Sequence, residues 1–230
     1  MKDNLKQDPY YYEKLGNDFN KFMSDYDVSR RIDLIFNYLL NHIQIPENAS
    51  VLEIGCGTGK ISAQIFQRPW KLTVNDISDK LCQRVAGTLN CAYLAGDCQQ
   101  LACKDESFDI IISSECIEHT LDPWAALKEM HRVLKKNGYL IVTTPNKIWF
   151  PVLQIANLLK IRKFNGIEHW TWPSAMKNWL KQNGFSDIRF GGCHLFPWQL
   201  PLAKHFLPFF DKSGNIFYPI MINYGFSAKK

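Results

Sequence analysis

The stretch Val51-Leu52-Glu53-Ile54-Gly55-Cys56-Gly57-Thr58-Gly59-Lys60 carries the most information in this chain. Its apolar residues read as a buried strand, and three alternating glycines follow at once. Glycines there let the backbone turn tightly and approach a ligand, while the next helix offers free N–H groups. The spacing is G-x-G-x-G. A dinucleotide loop would need glycine at position 60, where Lys60 stands. Glu53 precedes the first glycine by two residues; it would repel a pyrophosphate and suits an ammonium group, directly or through water.

Downstream, the chain alternates strands with helices, the pattern of a parallel sheet covered by helices. Val51–Ile54, Leu72–Asn75, Ala92–Ala95, Phe108–Ser113 and Tyr139–Thr143 read as strands. Gly59–Gln67, Ser78–Leu89 and Pro123–Leu134 read as helices, the last with proline where a missing N–H costs little. Pro173–Gln182 is a further expected helix, closed by Asn183-Gly184, and Phe185–Phe190 a further strand. A helix is expected around Leu153–Leu159, Gly191–Gly214 reads as irregular, and Ile216–Ser227 as strand-like. Upstream, residues 1–45 form an expected N-terminal helical addition. It has an aromatic start (Tyr10, Tyr11, Tyr12, Phe19, Phe22, Tyr26), then a helix with Ile32, Ile35, Phe36, Leu39 and Leu40 on its apolar face. One domain spanning 1–230 is expected, with 146–167 and 191–214 as substrate-side insertions.

The second strand ends in Asp76, about twenty residues beyond the glycine loop, where a carboxylate can accept from ribose hydroxyls. A ligand with an ammonium, a carboxylate and a ribose, and without phosphate, fits these features. S-adenosylmethionine is such a ligand. Singly, each feature has a plainer reading: the glycines as turn residues, Asp76 as a helix cap, Asp97 as part of a turn.

Taken together, these motifs resemble the class I S-adenosylmethionine-dependent methyltransferases of small-molecule type, including enzymes of the ubiquinone pathway. Val51 to Gly59 matches the first motif, and Asn75-Asp76-Ile77-Ser78 the ribose-binding second. Gly96-Asp97-Cys98 matches the place where an aspartate meets the adenine amino group. Phe108 to Ser114 and Leu134 to Val142 match the fourth and fifth strands. The resemblance implies an α/β, Rossmann-like fold with a mostly parallel seven-stranded sheet and helices on both faces. It implies S-adenosyl-L-methionine as cofactor, with Glu53, Gly55, Cys56, Gly57, Gly59, Asp76, Ile77, Asp97, Cys98 and Ser114 around it.

Methyl transfer asks the protein mainly to position the acceptor and remove its proton where necessary. Such groups lie beyond the carboxyl ends of the central strands, which points to Ser114-Glu115-Cys116-Ile117-Glu118-His119-Thr120. His119 suits a general base near neutral pH; His169, in Glu168-His169-Trp170-Thr171, is the second candidate and Glu115 a third. The plainer reading makes each a hydrogen-bonding or packing residue. Glu115, Glu118 and His119 also resemble an E-x-x-E-H pattern that quinone-pathway O-methyltransferases associate with a divalent cation; five residues do not establish a metal site.

Seven cysteines without a C-x-x-C pair, and the absence of a secretory signal in residues 1–19, favour a reduced, cytoplasmic setting. The net charge of +5 is spread without a polybasic run, so nucleic acid is a poor partner. No Pro-Cys dipeptide or Asn-Pro-Pro-Tyr-like tetrapeptide supports base methylation. The aromatic, aliphatic and proline-rich insertions suggest a small, lipophilic acceptor, O-methylation and peripheral membrane contact. A protein or RNA methyltransferase, or a scaffold that binds the cofactor without turnover, is the alternative.

Overall fold

A computed structural model describes residues 24–158, 167–200 and 202–230. The aromatic start at Tyr10–Phe22 and most of 159–167 lie outside these residues. Helix α1 (Asp25–Ile32) runs into a wider π-helical segment over Asp33–Leu39, where Leu40 N–H donates five residues back to Ile35 O. Seven strands follow: β1 (Ser50–Ile54), β2 (Lys71–Asp76), β3 (Ala92–Ala95), β4 (Phe108–Ser114), β5 (Leu134–Pro145), β6 (Ser186–Cys193) and β7 (Asn223–Lys229). The helices between them are α2 (Lys60–Phe66), α3 (Asp79–Leu89), α4 (Pro123–Val133), α5 (Phe150–Leu158), α6 (Pro173–Gln182), α7 (Ala203–Asp211) and α8 (Gly214–Phe217).

The sheet order is β3-β2-β1-β4-β5-β7-β6. The pairs from β3 to β5 are parallel, and β7 runs antiparallel to both β5 and β6. Strand alternation sends successive side chains to opposite faces, and two apolar cores result. Val51, Ile110 and Ile112 join Ile35, Leu39, Ile65 and Val85 on the face covered by the N-terminal segment, α2 and α3. Leu52, Ile54 and Ile111 join Leu127, Met130, Met176 and Leu180 on the face covered by α4 and α6. Both faces of β1 are therefore buried, which is why its sequence is a continuous apolar run interrupted only by Glu53.

Local chemistry sets the helix starts. Ser78 Oγ accepts from Leu81 N–H at the start of α3, and Asp122 Oδ1 accepts from Trp124 N–H ahead of Pro123 in α4.

Three expectations need correction. Gly191–Gly214 is irregular only in part, over 194–200: β6 continues to Cys193, and α7 forms despite Pro208 in its interior. Proline removes one backbone donor, here the one that would reach back to the carbonyl of exposed Lys204. Ile216 belongs to α8, so the final strand starts later, at Asn223. The helix placed around Leu153–Leu159 begins three residues earlier, at Phe150, behind a 3-10 turn over Lys147–Trp149.

Candidate functional site

The carboxyl ends of β1, β2, β3 and β4 meet along one edge of the sheet. Gly55, Gly57 and Gly59 have φ of 74°, 50° and 85°, a left-handed region that glycine enters without a Cβ penalty. A Cβ on Gly55 would lie 2.6 Å from Cys116 Sγ, so the loop runs against the segment after β4. Asp76 braces this loop: one carboxylate oxygen accepts from Gly57 N–H at 2.9 Å, the other from Ser78 N–H at 3.0 Å. Burial raises the Asp76 pKa in spite of these bonds and one from Ile77 N–H. A carboxylate has lone pairs beyond the two used here, so it can also accept from a ribose hydroxyl.

Glu53 points from β1 toward Ser62 of α2 and is buried, with Oε2 unpartnered. Desolvation pushes its pKa up to about 8. A buried, orphaned carboxylate oxygen beside an N–H-rich loop is a site that gains from a cation. Asn75, buried at the end of β2, donates to Leu94 O and Gly96 O and so fastens the tip of β3. Asp97 follows, its carboxylate accepting from the backbone and side chain of Gln99. Cys98 and Cys56 are buried; a hydrogen-bonding contact with Cys82 and burial push the Cys56 thiol up. Cys116, in contact with Cys98, is held protonated in the same way, so its sulfur is a poor nucleophile. Ser114 Oγ and Thr143 Oγ1 are 3.0 Å apart, tying β4 to β5.

Beyond β4 the candidate bases separate. Glu115 has φ 51°, unusual for a residue with a side chain, and its Oε2 accepts from Asn223 Nδ2 at 2.7 Å. Burial pushes its pKa up to about 7, opposed by Arg31. Glu118 is 1% exposed, accepts from Thr144 Oγ1, and is raised well above the ordinary carboxyl range by burial and then by Glu115. Glu115 and Glu118 thus face different partners. Among the described residues no group of three or more His, Cys, Asp or Glu is placed to hold a metal ion.

His119 Nδ1 lies 2.9 Å from Ile167 O, and His169 Nδ1 lies 2.9 Å from Thr120 O. A carbonyl can only accept, so both Nδ1 atoms carry the proton and Nε2 is the lone-pair atom of each neutral ring. With His169 N–H donating to Glu118 O at 2.7 Å, these bonds join the segment 167–172 to the loop after β4. Lys147 N–H donates to Thr171 O, which joins the same segment to the end of β5. Between the three lies a cavity of about 460 Å³, whose lining includes Trp124, Lys147, Phe150, His169, Trp170 and Trp172. His169 lines it; His119 and Glu115 do not.

Sequence reasoning passed over the support behind Glu115. Arg31 is buried, donates to Asp27 Oδ2 at 2.8 Å, and is raised partly by Glu115. Asp27 also meets the Nε2 of fully buried His194 at 3.0 Å. The signal was present in the spacing: Asp27, Arg31, Ile35 and Leu39 recur every four residues, which sets a charged pair on an apolar stripe. Tyr224 and Thr171, joined at 2.6 Å, had no comparable signal.

Residues 52–142 match the family described as a methyltransferase domain. A malonyl-[acyl-carrier protein] O-methyltransferase from Marinomonas sp. is 27% identical over 141 residues, 58% of this chain and 52% of that protein. A ubiquinone biosynthesis O-methyltransferase from Coxiella burnetii is 26% identical over 159 residues, 64% of this chain and 68% of that one. The chain thus spans about half the length of the first relative and about two thirds of the second. Among solved structures, a SAM-dependent methyltransferase from Thermotoga maritima superposes with a TM-score of 0.71 at 20% identity, covering 96% of this chain and 99% of its own. The braced glycine loop, the sheet order and these likenesses agree: residues 52–142 match a methyltransferase domain, and the chain has the fold of the class I S-adenosylmethionine-dependent methyltransferases.

Proposed function

We propose that this methyltransferase acts on a hydroxyl of a small, lipophilic acceptor seated beyond β4 and β5, and that His169 removes the proton. The observation that carries this reading is the cavity itself: tryptophan and phenylalanine walls, with a histidine whose tautomer leaves Nε2 basic. Bound S-adenosylmethionine supplies an activated methyl group whose departure leaves a neutral thioether. The chain's own residues do the rest. In this reading Glu53 and the loop of Gly55, Cys56, Gly57 and Gly59 hold the methionine end, and Asp76 and Ile77 hold the ribose. Asp97 and Cys98 hold the adenine, with Ser114 beside them. The aromatic walls exclude water and orient the acceptor. His119, whose Nε2 lies 3.7 Å from Glu118 Oε1, is the second candidate base. An acceptor of this kind resides in lipid, so the reading includes peripheral contact with a membrane.

Radiolabelled S-adenosylmethionine incubated with lipid, protein and RNA fractions in detergent tests it. Label is expected in the lipid fraction; label confined to protein or RNA overturns the acceptor class. His169→Ala should lower turnover roughly 10²–10⁴-fold with cofactor affinity unchanged. Wild-type turnover in that variant at every pH would pass the role to His119, where the same loss is then expected.

A further inference from the structure

We propose that the turn at Lys147–Trp149, helix α5 and the α7–α8 segment form one docking surface for an anionic lipid bilayer, with the acceptor cavity opening beside it. The opening is where this surface rests on the acceptor reading above; the docking surface itself does not need it.

Helix α5, Phe-Pro-Val-Leu-Gln-Ile-Ala-Asn-Leu, is apolar on all sides except at Gln154 and Asn157, yet none of its residues is buried. Ile155 is 58% exposed and Leu158 81%. A helix apolar all round is ordinarily enclosed by protein or by lipid. The second segment repeats this: Phe209 is 71% and Ile216 67% exposed. Far apart in sequence, the two are fastened together. Trp149 Nε1 donates to Ile220 O at 2.8 Å, and Asn146 Nδ2 donates to Pro219 O at 2.9 Å. Ile148 and Ile220 are exposed at this joint, so apolar surface of a kind that marks an interaction site when it is not covered stands where the two segments meet.

Charge selects the occupant. Among the described residues, the turn and α5 carry Lys147 and no acid, and Glu168 stands at the cavity beside them. From 198 to 220 the sequence contains Lys204 and Lys212 with one acid, Asp211, whose side chain is 2% exposed and bonded to Arg30 at 2.8 Å. Apolar side chains interleaved with cations suit the headgroup boundary of an anionic leaflet, where each cation near the surface adds attraction. A second copy fits less well, since a two-fold contact would set this basic patch against itself. Phe150 and Lys147 belong both to the patch and to the cavity lining, so an acceptor dissolved in the leaflet would reach His169 without crossing water.

Co-sedimentation of the full chain with vesicles tests the surface without any acceptor. Binding is expected to rise from phosphatidylcholine vesicles to vesicles mixed with phosphatidylglycerol, and to weaken with salt. A double variant, Ile155→Glu with Leu158→Glu, and separately Phe209→Glu, should lower binding about tenfold or more. Cofactor affinity should be unchanged in both, which shows that they fold. Absent binding to anionic vesicles, or equal binding to neutral and anionic ones at every salt concentration, overturns the proposal. So does lipid-free self-association that the same variants abolish. Failure here leaves the detergent assay of the acceptor standing, and failure there leaves vesicle binding standing.

Discussion

At Gly55 the left-handed backbone and the Cys116 thiol oppose the same substitution. Gly55→Ala must accept φ 74°, about 1–2 kcal/mol for a residue with a Cβ, and displace the thiol as well. It should lower the melting temperature and abolish measurable cofactor binding in calorimetry; wild-type affinity would show that the loop does not face the cofactor. Asp76→Ala removes the carboxylate that braces Gly57 and should weaken cofactor binding by on the order of 1–3 kcal/mol. These two positions were legible because backbone conformation and charge at a strand end are written in residue type. Arg31, Asp27 and His194 were harder to see. Their burial depends on α1, β6 and α7 meeting, which no local window of sequence contains.

The best-read elements are those of the parallel half of the sheet, from β1 to β5. Each is an apolar run closed by a turn or cap signal, and the flanking helices carry their caps at Ser78 and Asp122. The antiparallel end was read less well. Prolines at 201 and 208 argue against a helix, yet α7 forms, and the apolar residues around 216 read as strand although α8 takes them. Local propensity loses there to packing against β6. The π-helical turn after α1 has no signature in composition at all. Asn146 ties these less legible elements together: it is fully buried, caps the turn before α5 by accepting from Ile148 N–H, and donates to Tyr218 O and Pro219 O. Asn146→Ala removes the hydrogen bonds made by this fully buried side chain, and chemical denaturation should record a loss of about 1–3 kcal/mol. Unchanged stability would mean that the two segments are held by other contacts.

Across the whole molecule, buried acids gather at one end of the sheet. Glu53 is raised to about 8, Glu115 to about 7, and Glu118 well above its ordinary value. The sign follows from linkage: these groups are protonated more readily folded than unfolded. The stability they lend is complete below the unfolded carboxyl value of 4.5 and is lost as pH rises through about 7 to 8. Without cofactor, the melting temperature should fall over that window, and Glu53→Gln should flatten the fall. A flat wild-type profile would mean that these carboxyls are not buried as described. Because S-adenosylmethionine brings positive charge, its binding near neutral pH should also expel up to about one proton, seen as a buffer-dependent heat. The strand alternation sufficed to foresee the sheet, but not this gathering of acids, since it needs the registry of β1, β4, β5 and β7 in three dimensions. The antiparallel β7 has a practical consequence. It pairs Lys229 with Tyr139, which is level with Ile110 near the start of β4, and Lys230 exchanges backbone hydrogen bonds with Asn137 and Gly138. Position 230 therefore sits at the opposite pole from the glycine loop. A dye or surface tether attached there by a short spacer would leave the catalytic pole facing solution, ready for optical or chip-based titration.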